Sequence, residues 1–194
     1  MGKVLTHMTM SLDGFIAQPD DNPAELFEWY QAGDESVPSA NEDVTMTVDR
    51  ASAEVLRDLT VGVGAIVAGR RLFDIAGGWN DRHPAGAPVV VVTHSPPAAA
   101  AEFPNTTFVD GVEAGVQRAK EIAGDKDVTI ASANVIQQAL ELGLVDEVWV
   151  SLVPVLFGDG IPYFSKLDRG HVMLEDPQVV QGRRAVHLGF PVRR

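Results

Sequence analysis

The stretch VTIASANVIQQALELGLVDEVWVSLVPVLFGDG, Val128 to Gly160, decides the fold. Val128 to Ala131 reads as a strand, Ala133 to Leu142 as a helix, and Val145 to Val153 as a second strand. A strand-to-helix turn directs backbone N–H groups and the positive end of a helix at whatever lies above it, which suits a phosphate. Here that turn is Ala131-Ser132, without the glycine that such a site usually carries. The question it raises is whether the turn still admits a dinucleotide.

Working outward, the same alternation continues. Val4 to Met10 predicts a first strand, followed by SLDGFIA, where Asp13-Gly14 supplies turn chemistry and Phe15-Ile16 an apolar tip. PAELFEWYQAG predicts a short helix ending at Gly33, and DESVPSANEDVTM a polar excursion of poor order. DRASAEVLRDL has a helical stripe at Ala53, Leu56 and Leu59, with Asp49 or Ser52 as its N-cap. GAIVAG is a short buried strand that leads into RRLFDIAGG, a turn and helix. The valine run of APVVVVTH fits a strand covered on both faces. A strand at Thr107 to Val109 and a helix at Val112 to Ala123 lead into the opening stretch. HVMLEDPQVVQGRRAVHLGF predicts a hairpin turning at Gln181-Gly182. Alternation followed by a terminal hairpin predicts an α/β fold whose mixed sheet has helices on both faces.

At 194 residues the chain is expected to form a single domain, residues 1–194. Fifteen Lys and Arg against 27 Asp and Glu give a net charge of −12, which repels nucleic acid and anionic membrane while leaving a local anion pocket open. With no cysteine there is no disulfide framework or thiolate, and His7, His83, His94, His171 and His187 lack metal-ligand spacing, so no metal is expected. No apolar run reaches the ~18 residues of a membrane span, and the N-terminus lacks a long apolar leader segment. A soluble, cytoplasmic protein is the expectation.

Four stretches fall at the C-terminal ends of the central strands, where open α/β sheets bind ligands: SLDGFIA, AGRR, VTHS and ASANV. In AGRR, Gly69 lets the backbone leave the strand, while Arg70 and Arg71 place guanidinium forks beside a helix start, suited to the ribose phosphate of NADP. The alternative is two surface arginines paired with carboxylates.

MSLDGFIA, AGRRLFD, GGWNDRHP, VVVVTH, the opening stretch and VLFGDGIPYF, in this order, resemble the dihydrofolate-reductase-like superfamily over nearly the full length. Within it the chain is similar to the C-terminal reductase domain of riboflavin biosynthesis. The resemblance implies a three-layer fold with a mixed, mostly parallel sheet and an antiparallel C-terminal strand. It also implies NADPH as cofactor, a small-molecule substrate, a homodimer, and an activity like that of 5-amino-6-(5-phosphoribosylamino)uracil reductase. Carried over residue by residue, it puts Thr9, Ile16 and Ala17 beside the nicotinamide and Gly69, Arg70 and Arg71 on the adenosine phosphate side. Thr93, His94 and Ser95 come to the 2′-phosphate and adenine, with Ser95 where relatives often carry arginine.

Ala131-Ser132 stands where the family has Gly-Gly, so two side chains narrow the approach to a pyrophosphate. Against this, the Ser132 hydroxyl or the Asn134 amide could cap the helix or donate to phosphate, and Ala133, Asn134 and Val135 still offer N–H groups. In folate reductases a carboxylate on the helix before AGRR grips the pterin; counting back from Gly69 lands on Ala53, with Asp49 and Glu54 nearby and Asp13 as the other candidate. Pro154, Phe157, Gly158 and Phe164 of VLFGDGIPYF and its preceding strand end, together with Trp79, are candidates for the substrate pocket. Three readings stand: an NADPH-dependent reductase of a small heterocyclic or carbonyl substrate, a non-catalytic ligand-binding or scaffold protein with a degraded cofactor site, and a pterin reductase. The valine-rich strand and VWVSLVP are candidate dimer surfaces.

Overall fold

Every residue except Met1, Lys166, Arg169 and Arg194 is described in the computed structural model. The strands are β1 (Val4–Ser11), β2 (Phe15–Ala17), β3 (Glu35–Val37), β4 (Met46–Val48), β5 (Val63–Gly69), β6 (Val89–Val92), β7 (Thr106–Val109), β8 (Asp127–Ile130), β9 (Glu147–Val153), β10 (Ile161–Pro162), β11 (Gln178–Gln181) and β12 (Val186–Pro191). The α-helices are α1 (Arg50–Val61), α2 (Arg70–Ile75), α3 (Val112–Ala123) and α4 (Ala133–Glu141).

An eight-stranded sheet runs in the order β11-β12-β9-β1-β8-β5-β6-β7. The six strands from β9 to β7 are mutually parallel, while β12 lies antiparallel to β9 and to β11. This is the expected α/β class: a mixed, mostly parallel sheet that closes on an antiparallel C-terminal strand.

The period of two in each strand sends alternate residues to opposite faces, and each face has its own helices. Val67, Val90, Ile130 and Val148 pack on Val116 of α3 and Ile136 of α4. From the same strands, Ile66, Ala68, Val89 and Val91 pack on Phe73 of α2, and Leu5 packs on Val55 and Leu59 of α1. Each fully buried valine contributes about 1.5–3 kcal/mol relative to exposure, which is why the run reads as continuous β-branched sequence.

That burial corrects one expectation. Val89, Val90 and Val91 are at most 5% exposed, so the valine run offers no association surface, while both edges of β9 are paired, with β1 and β12. The segment from Gly33 to Met46 also differs from expectation. Instead of a disordered excursion it contains the β3–β4 hairpin, whose Val37 and Met46 are buried against Leu26 and Trp29. Asn41 donates from Nδ2 to the carbonyl of Trp79 at 3.2 Å, tying the hairpin to the rest of the molecule. Leu26 and Trp29 come from the predicted short helix, which is a 3-10 helix over Ala24–Gln31.

Candidate active site

A cleft of about 720 Å³ opens along the C-terminal ends of β5, β6 and β8. Its floor holds Gly69 and the start of α4, and its roof holds Ile16 and Ala17 of β2. Strand β2 is held in place by antiparallel pairing with β10, so the apolar tip of SLDGFIA does come over the cleft.

Ser132 has φ 97° and ψ 117°, a conformation that favours glycine, and it carries a side chain there at a cost of about 1–3 kcal/mol. Its hydroxyl accepts the N–H of Gly69 at 2.9 Å, joining the ends of β5 and β8. Hence Ser132 does not cap α4, and the Asn134 amide oxygen accepts from Gln138 Nε2 at 2.7 Å instead of capping it. The first N–H groups of α4 therefore have no side-chain cap. A Cβ on Gly69 would lie 3.3 Å from Val135 and 3.4 Å from Ser132, so glycine keeps this floor open. Uncapped helix N–H groups above a glycine floor fit a pyrophosphate.

Arg70 and Arg71 both line the cleft. Arg70 donates from Nε to Asp74 at 2.8 Å and from a terminal nitrogen to the Ser95 carbonyl. Arg71 donates from Nε and Nη2 to Asp21 at 3.0 and 2.8 Å. The guanidinium groups thus lie at the cleft and are at the same time paired with carboxylates. Thr93 and His94 line the same cleft, while Ser95 contributes its carbonyl to Arg70. The His94 Nδ1 lies 2.5 Å from Asp110.

Thr9 and Ala131 line a second cavity of about 570 Å³ on the α1 face of the sheet, rather than the cleft that holds Ile16, Ala17 and Ser132. The two spaces share Met8, Phe27 and Leu72 as a common wall. The second cavity has aromatic sides, Phe27, Tyr30 and Trp79, and a polar floor that includes His7, Thr9 and Thr129. The Thr9 and Thr129 hydroxyls are buried without hydrogen-bond partners. Burial lowers His83 to about 4, and burial with the neighbouring His187 lowers His7 to about 4, so both rings are neutral at pH 7. Burial raises the Tyr30 phenol to about 12.

Trp79 reaches this cavity from a left-handed turn in which Gly77, Gly78, Trp79, Asn80 and Asp81 have φ between 51° and 58°. The turn is anchored by Asp81, whose carboxylate accepts the N–H of Asn105 at 3.0 Å and its Nδ2 at 2.8 Å. The ring of Trp79 meets His83 edge-on at 4.9 Å.

The other candidates lie outside both cavities. Asp13 accepts from the Ser11 hydroxyl at 2.6 Å and from the N–H groups of Phe157 and Gly158 at 3.1 and 2.7 Å. These bonds, that of Ser11 foremost, hold its carboxyl below the usual range, and it pins two loops together. Gly158 is spent on that pin, Phe157 packs near Trp29, and Pro154 lies with Glu28 and Arg184 on another part of the surface. Phe164 stacks on Tyr163 at 4.1 Å and is 46% exposed. Ala53 is fully buried, Glu54 pairs with Arg50 on the surface, and Asp49 caps α1 through the N–H groups of Ala51 and Ser52. None of the three lines either cavity.

Sequence reasoning missed His7, His83, Tyr30 and Thr129. The signal for His7 and Thr9 lay in strand alternation, which puts both on the β1 face opposite Met8. Among the described residues no cluster of His, Cys, Asp or Glu could hold a metal ion, and no helix is long and apolar enough to cross a membrane.

Comparison with known proteins places this geometry in context. A protein assigned to riboflavin biosynthesis from Shewanella sp. PV-4 superimposes with a TM-score of 0.73 at 22% identity, over 99% of each chain. RibD of Acinetobacter baumannii superimposes with a TM-score of 0.67 at 16% identity, covering 100% of this chain and 58% of that one. Dihydrofolate reductase of Enterococcus faecalis, in complex with NADP(H) and RAB-propyl, gives 0.61 at 14% identity, over 100% and 98% of the two chains. No curated protein matches the sequence. The family model of the RibD C-terminal domain matches residues 2–188, and the chain belongs to that family.

Proposed function

We propose that the protein is an NADPH-dependent reductase of a small heterocyclic or carbonyl substrate. The observation that carries this reading is the meeting of the cleft and the aromatic cavity across Met8, Phe27 and Leu72. A dinucleotide along the cleft would have one end at that wall, with a flat substrate on its far side. NADPH bound there supplies the hydride. The residues of the chain bind, orient and dry the reacting pair: the N–H groups at the start of α4 and Arg70 or Arg71 hold phosphates, Ile16 and Ala17 exclude water, and Phe27, Tyr30 and Trp79 hold a planar ring.

The second reading, a ligand-binding protein without turnover, is favoured by two observations. Ser132 keeps a Cβ at the pyrophosphate turn, and the arginines already have carboxylate partners. A pterin reductase is not carried, because neither Asp49 nor Glu54 enters a cavity. Calorimetric titration with NADPH and then NADH at low salt separates the first two readings. Binding with preference for NADPH supports the reductase; no heat from either at millimolar concentration leaves the second. The homodimer implied by the resemblance is a further proposal, tested by sedimentation at micromolar concentration.

A further inference from the structure

Asp49, Ser52, His187, Ser151 and His7 form one hydrogen-bonded line through the interior, from the cap of α1 to the floor of the aromatic cavity. The Ser52 hydroxyl lies 2.7 Å from Asp49 Oδ2, and His187 Nε2 lies 3.0 Å from Ser52 Oγ. His187 Nδ1 lies 2.9 Å from Ser151 Oγ, and His7 Nε2 lies 2.9 Å from the same oxygen. Ser52 and His187 are fully buried and Ser151 is 1% exposed, so water does not interrupt the line. Sheet register builds it: His187 stands opposite Ser151, and Ser151 opposite Thr9, two residues beyond His7 on the same face.

The charge at one end fixes the direction of every bond. Burial pushes Asp49 up, but the N–H of Arg183, the Ser52 hydroxyl and the α1 N–H groups outweigh it and hold the carboxyl below its usual range. An ionised Asp49 can only accept, so the Ser52 hydroxyl donates to it, and Ser52 Oγ takes the Nε2–H of His187. Burial lowers His187 against the pull of Asp49, so its ring is neutral and its bare Nδ1 accepts the Ser151 hydroxyl. Ser151 Oγ is then left to accept the Nε2–H of His7.

The remaining atom is Nδ1 of His7. It has no partner among the described residues, yet it is absent from the buried unpartnered atoms, which include Thr9 Oγ1 and Thr129 Oγ1. It therefore opens onto the cavity that His7 lines. The titratable groups around it are His187 beyond Ser151 and, across the cavity, Tyr30, His83 and Asp43.

We propose that the line from Asp49 through Ser52, His187 and Ser151 locks His7 as the Nε2–H tautomer. The cavity then presents a bare nitrogen acceptor, and it selects a flat heterocycle whose ring N–H meets that nitrogen. A ligand without such a donor leaves Nδ1 desolvated and unpaired, the situation in which hydrogen-bonding sites reject analogues most strongly. The ligand class rests on reading this cavity as the substrate side of the reductase; the tautomer does not.

Nitrogen-15 NMR of the histidine rings in the full chain at pH 7, without dinucleotide, tests both parts. In the parent, His7 and His187 should each show a protonated Nε2 and a bare Nδ1. Ser151→Ala should turn His7 into a mixture of tautomers, and Ser151→Thr should restore the single form. Asp49→Asn keeps a helix cap but removes the charge that sets direction, so it too should give a mixture, and it serves if Ser151→Ala does not fold. An Nδ1–H His7 in the parent, or a His7 signal that neither variant moves, overturns the lock. Phthalimide at millimolar concentration should shift the His7 Nδ1 signal, and N-methylphthalimide should not; equal shifts, or none, overturn the selection. Because no cofactor is present, failure here is separate from failure of NADPH to bind.

Discussion

Ser132 holds two opposed terms in one residue. Its backbone carries about 1–3 kcal/mol of strain from a Cβ at positive φ, while its hydroxyl contributes about 0.5–1.5 kcal/mol through the Gly69 N–H. Ser132→Gly removes both, so unfolding free energy should change by between about −0.5 and about +2.5 kcal/mol, while the Cβ over the pyrophosphate turn disappears. The expected result is a severalfold lower Kd for NADPH by calorimetry. Ser132→Ala is the counterpart, since it keeps the Cβ and the strain and orphans the N–H: about 1 kcal/mol of stability should be lost in urea, with no gain in affinity. A Ser132→Gly protein that binds no better than the parent would show that the side chain is not the obstruction. A second residue-level test concerns Asp21, which ties up Arg71 at 2.8 Å. Asp21→Asn should free that guanidinium and tighten NADPH severalfold while leaving NADH unchanged, if Arg71 reads the phosphate.

Among the elements, the left-handed turn Gly77–Asp81 shows how local rules can yield to tertiary ones. Trp79, Asn80 and Asp81 each adopt positive φ, at about 1–2 kcal/mol per residue. Packing and the Asp81 bonds to Asn105 offset that cost. A Cβ on Gly78 would collide with the rings of Phe73 and Phe103, so Gly78→Ala should destabilise by about 1–3 kcal/mol and shift Trp79 fluorescence as the ring leaves the cavity. Unchanged emission with lost stability would mean that Gly78 supports the fold without positioning the tryptophan. The turn was illegible in the sequence, where Trp79 read only as a candidate for the substrate pocket, because nothing local favours three non-glycine residues at positive φ. The strands and helices were legible because their signals are periodic: α3 runs from Val112 to Ala123 as its pattern predicts, and α4 ends one residue early, at Glu141. The stretches that line the cleft were legible as well, because strand ends in an open α/β sheet collect ligand residues. The lining of the aromatic cavity was not, since the candidates Phe157 and Gly158 answer instead to Asp13, a contact across 145 residues in the case of Gly158. Likewise, His7 matters only once β9 and β12 bring Ser151 and His187 alongside.

For the whole molecule, enclosing the neutral imidazoles of His7, His83 and His187 makes stability depend on pH in a definite window. His7 and His83 have an ordinary value of 6.5 and are lowered to about 4 in the folded protein. The unfolded chain therefore binds more protons than the folded one below pH 6.5, and linkage makes stability fall as pH falls. The loss begins near 6.5, grows until the pH reaches about 4, and is constant below that, where both states are protonated. Each ring could cost on the order of 3 kcal/mol. The cavity relieves part of this, because each ring has an edge on it and can be hydrated there. Even half of that total is a large share of a net stability of about 5–15 kcal/mol. The carboxylates act later: Asp13, Asp49 and Glu175 are held below ordinary values of 3.8, 3.8 and 4.5, so what they contribute is kept above those values and lost only in stronger acid. Urea midpoints at about pH 7, 5.5 and 4.5 should fall steadily, and His83→Gln should make the fall shallower by removing one of the protons that these rings take up on unfolding. If the midpoint holds flat down to pH 4.5, the rings are protonated in the folded state, and the bare Nδ1 of His7 is lost with them.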